Sequence, residues 1–444
     1  MGGQMREIGI GLLGLGTVGQ AVVKILKEHG EGFSSSLGVN LVLRKIAVRD
    51  LKKNRGNHIV SKELLTTSIN EVVHHPNIDL VVELMGGITD AKFAVLEALD
   101  HEKSVVTANK ALIAQYGQEI FELAQKKKCD FLYEASVGGG IPILRVLRES
   151  FMGNKILSIK GIVNGTSNYI LSKMTEAQQK GQLGLKFEEV LKEAQNKGYA
   201  EADPTMDIDG TDVVQKLGIL ASLAFGGWVD FRKIYKEGIK NLTMLDFAMA
   251  DYFHYRIKLL AIAKPTEKGL DVRVHPTLLP KDKLLAEVDG VYNAIAFEGD
   301  SLGPGLLLGK GAGGGPTASV VVSDIVDIAR NLLVTSESRV PILPISEFPM
   351  ENLSLRTMDQ LECRYYCRFI VIDRPGALAE ITRIFANHHI SIGSLLQKER
   401  SQLTPIPVVL LTHEAIEKNI ISAIDEISKL DVVIEKPVIL RIEE

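Results

Sequence analysis

Cysteine is scarce: three residues, Cys129, Cys363 and Cys367, in a chain of 444. An odd count with no Cys-x-x-Cys pair and no histidine pairing leaves neither a disulfide framework nor a zinc cluster. It fits a reducing compartment, so a cytoplasmic location is expected. Charge of one sign is also missing. Lys and Arg number 51 against 55 Asp and Glu, a formal charge of -4. With no basic stripe and no acidic tail, nucleic acid is not expected as a partner. No long hydrophobic run occurs either. The first candidate, Ile8 to Val23, is broken by five glycines and preceded by a single arginine, so it is neither a signal peptide nor a membrane span.

What is present is enough apolar side chain, 45% of the composition, to build real cores. At roughly 150 residues per domain the length predicts two to four domains. The densest local signal is GYAEADPTMDIDGTDVVQK, Gly198 to Lys216, where five carboxylates (Glu201, Asp203, Asp207, Asp209, Asp212) fall within twelve residues. Asp212 and Lys216 are four apart in a pattern of Val213, Val214, Leu217, Leu220 and Ala221, so they share a helical face and the carboxylate can hold the ammonium in place. The competing reading is an ordinary helix start, with Asp209 as N-cap and Asp212 in the first turn.

At the amino end an apolar run of strand length, EIGIGLL, leads straight into GLGTVG and then a helical pattern from Thr17 to Leu26. In that context Gly14 permits a tight turn, Gly16 lets backbone approach a pyrophosphate, and Gly19 lets helix pack on strand, with the helix N-terminus facing the phosphates. The next strand candidate, Val39 to Val48, ends in Arg49-Asp50, where such a domain meets the adenosine ribose. Asp50 suits a ribose hydroxyl and NAD; Arg49, backed by Lys52 and Lys53, suits a 2'-phosphate and NADP, and NADP is favoured. A solvated basic loop from Arg49 to Arg55 is the plainer alternative. Ile78 to Met85 and Lys103 to Thr107 read as further buried parallel strands. Their carboxyl ends carry Gly86-Gly87 and Ala108-Asn109-Lys110, which points Lys110 at the cofactor edge.

Glu134 is followed by ASVGGGIP, a turn able to aim carbonyl oxygens inward and, with the Glu134 carboxylate, to make a small oxygen-lined cation site; a tight turn without an ion is equally compatible. In GIVNGTSNYIL, Asn164 to Asn168 either line a substrate pocket or cap a helix through Thr166 or Ser167. LDVRVHPTLL and YNAIAF suit a second sheet, in which His275 reads as structural. GKGAGGGPTA, Gly309 to Ala318, opens a long apolar helix and suits a phosphate or nicotinamide contact, which implies that the chain returns to the first domain; a close-packed crossover is the competing reading. After a proline-bearing linker, the last eighty or so residues read strand, helix, strand, strand, helix, strand, a ferredoxin-like order.

With GLGTVG, VVTANKALIA, EASVGGGIPI, GIVNGTSNYIL, GYAEADPTMDIDGTDVVQKLGILASLAFG and GAGGGPTAS in that order, the chain resembles the homoserine dehydrogenase family over about residues 5 to 340. The Asp373-Arg-Pro-Gly-Ala-Leu loop and Ile390 to Ser394 resemble an ACT domain. The resemblance implies an α/β protein: a Rossmann doubly wound nucleotide-binding domain over 1-142 with 305-340 returning, an α+β catalytic and dimerisation domain over 143-304, a linker over 341-363, and a ferredoxin-like ACT regulatory domain over 364-444. It implies nicotinamide-dependent interconversion of L-aspartate 4-semialdehyde and L-homoserine on the route to threonine, methionine and isoleucine, in a homodimer or homotetramer. By motif, Lys216 and Lys110 correspond to catalytic lysines and Asp212 to the carboxylate that orients the substrate. Glu201 with Gly198 beside it corresponds to an amino-acid contact, and Asp207 suits the substrate ammonium. Thr17, Val18, Arg49, Lys110 and Gly313 match cofactor contacts. Glu134 and the carbonyls of Val137, Gly139 and Ile141 match a monovalent cation site, usually sodium. Asp373, Gly376, Ala377 and Ile392 fall where ACT modules bind an amino acid, with L-threonine the implied effector; a purely oligomerising module is the alternative.

Overall fold

The computed structural model describes residues 5-53, 60-333, 350-397 and 405-444. The first part of the linker expected over 341-363, and Arg55 of the basic loop, lie outside the described residues. From the amino end come β1 (Arg6–Leu13), α1 (Thr17–Glu28), α2 (Gly30–Leu37), β2 (Val39–Ala47), β3 (Leu65–Thr66), α3 (Asn70–Val73), β4 (Leu80–Glu83), α4 (Thr89–Asp100), β5 (Ser104–Thr107), α5 (Lys110–Lys126) and β6 (Phe131–Leu132). Then follow α6 (Ile143–Arg145), β7 (Ile156–Ile162), α7 (Gly165–Gln179), α8 (Phe187–Asn196), α9 (Thr205–Ile208), α10 (Thr211–Phe225), β8 (Tyr235–Lys236) and α11 (Met244–Tyr252). β9 (Tyr255–Thr266), β10 (Gly269–Pro280), β11 (Tyr292–Gly299), β12 (Gly303–Lys310) and α12 (Gly314–Leu333) come next. The chain closes with β13 (Glu362–Val371), α13 (Ala377–Asn387), β14 (Ile392–Gln397), β15 (Ile406–Thr412), β16 (Ala415–Ile416), α14 (Glu417–Ile427) and β17 (Val438–Ile442). No described helix is long and apolar enough to cross a membrane.

These elements fall into two compact units: Met1–Ile159 with Gln215–Arg232 and Asn293–Leu353, and Lys160–Val214 with Lys233–Tyr292 and Ser354–Glu444. The first holds a six-stranded sheet in the order β3-β2-β1-β4-β5-β6, every neighbouring pair parallel. The reversal of strand order beside β1 marks the crevice where doubly wound sheets bind ligands. Ile8, Ile10 and Leu12 of β1 share one core with Val22 and Val23 of α1 and with Val321, Ile325 and Ile328 of α12. The three- and four-residue spacing of Ala318, Val321, Val322, Ile325 and Ala329 gives α12 the apolar stripe that this contact needs. The late helix thus packs on the nucleotide-binding sheet, as the glycine-rich run before it suggests.

In the second unit the strands run β9-β10-β17-β13-β15-β14. β9 and β10 form a twelve-residue antiparallel hairpin closed at Gly269, whose φ of +111° suits only glycine. Six of the last seven elements, β16 aside, follow the expected order and give a ferredoxin-like sheet, β17-β13-β15-β14, with a core of Tyr365, Phe369, Ile381, Phe385, Ile420 and Ile424. One pairing was not legible in the pattern. β17 also runs parallel to β10, with Thr277 opposite Arg441 and Leu278 opposite Ile442.

Charge is buried along that seam. Arg441 donates to both Glu417 oxygens and, at 2.6 Å, to Glu237, while Arg273 bonds Asp271 and, at 2.6 Å, Glu443. His275 is fully buried with its Nε2 accepting from Arg273 Nε at 3.1 Å. Burial first, then Arg441 and Arg273, hold its pKa well below the ordinary value. It is a neutral structural histidine, as its isolated strand position predicts. Among the described residues no cysteine is joined in a disulfide, and Cys129 and Cys367 are buried.

Candidate active site

The turn after β1 is shaped by clashes that only glycine avoids. Gly14 has φ +99°, and a Cβ there would stand 2.5 Å from the Leu84 carbonyl oxygen; a Cβ on Gly19 would strike the Gly14 carbonyl. Gly16 differs. A Cβ there would meet nothing within 4 Å of the protein itself, so its bareness leaves room for something else. It flanks an open cleft lined by Gly14, Gly16, Arg49, Asp50, Lys53 and Gly86, among others. The residues fit a dinucleotide: open backbone at the start of α1 for phosphates, and Arg49, Asp50 and Lys53 at the ribose end. Asp50 Oδ1 accepts the Lys52 backbone N–H at 2.7 Å. The start of α12 reaches the same turn, since a Cβ on Gly314 would lie 3.0 Å from Thr17 Cγ2. Gly313, an expected cofactor contact, is the residue just before Gly314.

Lys110 is the first residue of α5, and a buried carboxylate fixes its approach. Glu83, at the end of β4 and 0% exposed, accepts from Thr107 Oγ1 at 2.7 Å and from Met85 N at 2.8 Å. Thr107 Oγ1 in turn accepts from Asn109 N at 3.0 Å, and Asn109 both caps α5 through Leu112 N and donates to Gly87 O at 2.7 Å. The loops after β4 and β5 are thereby stapled to each other. Desolvation raises the Glu83 pKa, partly offset by the Thr107 and Met85 bonds. Glu83 escaped the sequence reading, although a carboxylate ending the apolar run IDLVV was the available signal.

Glu134 is also buried, with its two oxygens accepting from Leu144 N at 2.7 Å and Arg145 N at 2.6 Å. Desolvation, then the nearby Asp324, pushes its pKa up to about 8. The Arg148 charge and the two backbone bonds offset this only in part, and a small cation is one way to supply the rest. The following turn is permitted by φ of +74° at Gly138 and +58° at Gly139, and Gly140 N donates to Lys310 O at 3.0 Å. Glu134 and the carbonyls of Val137, Gly139 and Ile141 are oxygen donors of the kind that hard cations take, although the Ile141 carbonyl already accepts from Ile143 N at 2.9 Å.

The acidic stretch is ordered from a distance. Asn164, at the end of β7, donates through Nδ2 to Asp207 Oδ1 at 2.7 Å and Asp212 Oδ2 at 2.9 Å. Its Oδ1 accepts from Ser167 N at 2.8 Å, so Asn164 caps α7. This corrects the choice of Thr166 or Ser167 as the cap: Thr166 Oγ1 instead donates to Tyr199 O at 2.6 Å, and Ser167 Oγ to Asn164 O at 3.2 Å. The strand end leaves Asn164 in extended conformation one residue before the helix, where a cap must stand. Asp209 does serve the start of α10, but from one residue further back, accepting from Thr211 N at 2.8 Å, while Gly210 makes the turn at φ +86°. Burial opposes its ionisation, and bonds from Lys236 and Thr211 outweigh that to hold its pKa below the ordinary value. Asp203 likewise caps α9 through Thr205 N at 3.1 Å. Asp212 is buried at 6% exposure, Lys216 half-buried one turn further along α10, and Glu201 exposed beyond Gly198, whose φ is +72°. In the carboxyl-terminal module Gly376, at φ +95°, caps α13 before buried Ala377; half-buried Asp373 lies in the same loop, and Ile392 opens the edge strand β14.

A glycine turn feeding a cleft at the strand-order reversal of a parallel sheet defines a dinucleotide-binding protein. The family models "Homoserine dehydrogenase, NAD binding domain", "Homoserine dehydrogenase" and "ACT domain" match residues 14–134, 142–326 and 365–429 in turn. The chain belongs to the homoserine dehydrogenase family. It is 45% identical to the homoserine dehydrogenase of Neisseria gonorrhoeae over 98% of each chain. The solved homoserine dehydrogenase of Thiobacillus denitrificans superposes with a TM-score of 0.92 at 44% identity, covering 99% of both chains. A hyperthermophilic archaeal homoserine dehydrogenase solved in complex with NADPH covers 75% of this chain and is itself covered completely, with TM-score 0.61 and 28% identity.

Proposed function

We propose that this enzyme reversibly reduces L-aspartate 4-semialdehyde to L-homoserine with a preference for NADPH, in a homodimer or homotetramer whose mass sedimentation would read. The observation that carries the substrate assignment is the Asn164 clamp. It holds two carboxylates, Asp207 and Asp212, at the start of the helix that bears Lys216. Asp207 and Glu201 suit the substrate ammonium, leaving Asp212 to orient the reacting end. Bound NADPH supplies the hydride that turns the aldehyde carbon into an alcohol carbon. Lys216 then delivers a proton to the oxygen on which negative charge develops, and Lys110 adds a second cation there. In the reverse direction Lys216, unprotonated, removes the hydroxyl proton. Arg49 in the cleft lining, a residue type suited to pairing with a 2'-phosphate, supports the NADPH preference, and the archaeal relative solved in complex with NADPH agrees with it.

The test is reduction of L-aspartate 4-semialdehyde followed by cofactor absorbance, with NADPH and NADH in parallel. NADPH should give the higher kcat/KM. No turnover with either cofactor would sink the assignment. L-Threonine is the proposed effector, held at Asp373, Gly376 and Ala377 in the loop that opens α13 and at Ile392 of the edge strand β14. Millimolar threonine should lower the rate, and a rate indifferent to it would leave the module without that role.

Sodium at Glu134 is likewise a proposal, supported by the buried carboxylate with its raised pKa. Exchange of sodium for tetramethylammonium at constant ionic strength should lower the unfolding midpoint of the wild-type protein. Glu134→Gln should erase that difference; an equal midpoint in both salts would remove the cation from the site.

A further inference from the structure

We propose that His74, Glu97 and His101 form a site for a borderline divalent transition metal, Zn²⁺ being the type ion, away from the oxidoreductase chemistry. Glu97 and His101 are four apart on the last turn of α4 and its C-cap, and His74 is the C-cap of α3. One ring nitrogen from each histidine and one carboxylate oxygen all lie within 4.8 Å of one another. Glu97 Oε2 stands 3.6 Å from His74 Nε2 and 3.8 Å from His101 Nδ1. Those separations are too long for hydrogen bonds, which close to about 3.0 Å. They approach the edge of a metal tetrahedron instead: two ligands each about 2.0–2.1 Å from Zn²⁺ stand roughly 3.4 Å apart.

A second observation points the same way. Glu97 Oε2 is inaccessible to solvent and has no hydrogen-bond partner among the described residues, a costly state for a carboxylate oxygen. The imidazoles beside it, with ring centroids 4.3 Å apart, remain partly open, so an ion can enter. His101 Nδ1 also lies 2.9 Å from the Glu97 carbonyl. That carbonyl keeps a partner when the ring turns to a metal, because His101 N donates to it at 3.1 Å. One carboxylate and two neutral imidazoles leave a divalent ion with one net positive charge and a fourth position for water. Imidazole nitrogen and carboxylate oxygen together favour zinc, copper or nickel over magnesium or calcium.

Location makes the site structural. α4 starts beside Gly86-Gly87 at the carboxyl edge of the sheet and runs back antiparallel to β4, so its last turn lies at the opposite edge from the dinucleotide turn. α3 ends just before β4 begins, at that same far edge. A bound ion would clip the end of α3 to the end of α4.

Chelator-dialysed full-length protein titrated with ZnCl₂ alone by calorimetry provides the test, with Co²⁺ absorbance reporting geometry. Wild type should take up one equivalent more than His101→Ala. His74→Ala and Glu97→Gln should bind that equivalent at least about 10-fold more weakly. Zinc should raise the melting midpoint of wild type by a few degrees and leave that of His101→Ala unmoved. All three variants should melt like wild type without metal and keep oxidoreductase turnover, which separates loss of the site from loss of the fold. Equal uptake by wild type and variants, or none at about 100 μM zinc, far above a useful structural affinity, would overturn the proposal.

Discussion

Lys216→Ala is expected to lose turnover by roughly two to four orders of magnitude, the range over which a positioned general acid contributes. NADPH affinity, measured by fluorescence titration, should stay within a few-fold of wild type, because the dinucleotide cleft is lined by the turns after β1, β2 and β4 and not by α10. The loss should fall on kcat more than on KM, since the proton is needed only as charge develops on the oxygen. Asp212, Asp207 and Asn164 would remain in their mutual bonds, so the substrate end of the site survives the change. A variant that keeps most of its turnover would remove Lys216 from the chemistry. One that loses cofactor binding in parallel would recast it as a structural residue.

Asp246→Ala carries the second large effect, this time on stability. Asp246, at the start of α11, is completely buried and accepts five hydrogen bonds: Arg368 Nε at 2.7 Å and Nη2 at 3.2 Å, Tyr366 OH at 3.1 Å, and Thr243 N and Oγ1 at 2.9 Å each. Arg368 and Tyr366 belong to β13, so one side chain ties the middle segment to the carboxyl-terminal module. Its removal strands a buried guanidinium, for which about 3–5 kcal/mol is usual. Urea unfolding of the variant should show a midpoint shift of that size, and Arg368→Met paired with Asp246→Leu should recover much of it, because an apolar pair leaves no uncompensated charge. A shift under about 1 kcal/mol would place the bond among weakly contributing surface pairs.

Local features were legible in the sequence where a short segment dictates its own conformation. GLGTVG fixes strand, turn and helix because Gly14 takes the left-handed φ that the turn needs and a Cβ on Gly19 would strike the Gly14 carbonyl five residues back. The six elements of the carboxyl-terminal module follow from period and turn residues alone. What was not legible depends on partners far along the chain. Asn164 meets Asp207 and Asp212 across separations of 43 and 48 residues, so nothing near it distinguishes a bridging amide from a simple cap. Glu83 reaches Thr107 on the neighbouring strand, a pairing set by sheet order. Within the acidic run, type and spacing singled out Asp212. The bonds of Asp203 to Thr205 N and of Asp209 to Thr211 N put those two in their own turns, the helix-start role that the sequence already offers Asp209.

The seam between β10 and β17 bears on how far this protein can be taken apart. Its ACT module has a fold of its own, which invites cutting at the linker to obtain a free-standing catalytic piece. Yet β17 is hydrogen-bonded into the middle of a sheet, and its neighbour Glu443 neutralises Arg273, a side chain only 1% exposed. Removal would open an unpaired β10 edge and leave that guanidinium without one of its counter-charges, conditions that favour edge-to-edge aggregation and a buried unpaired charge. In engineering terms the carboxyl-terminal module is a wall of the building and not an annex.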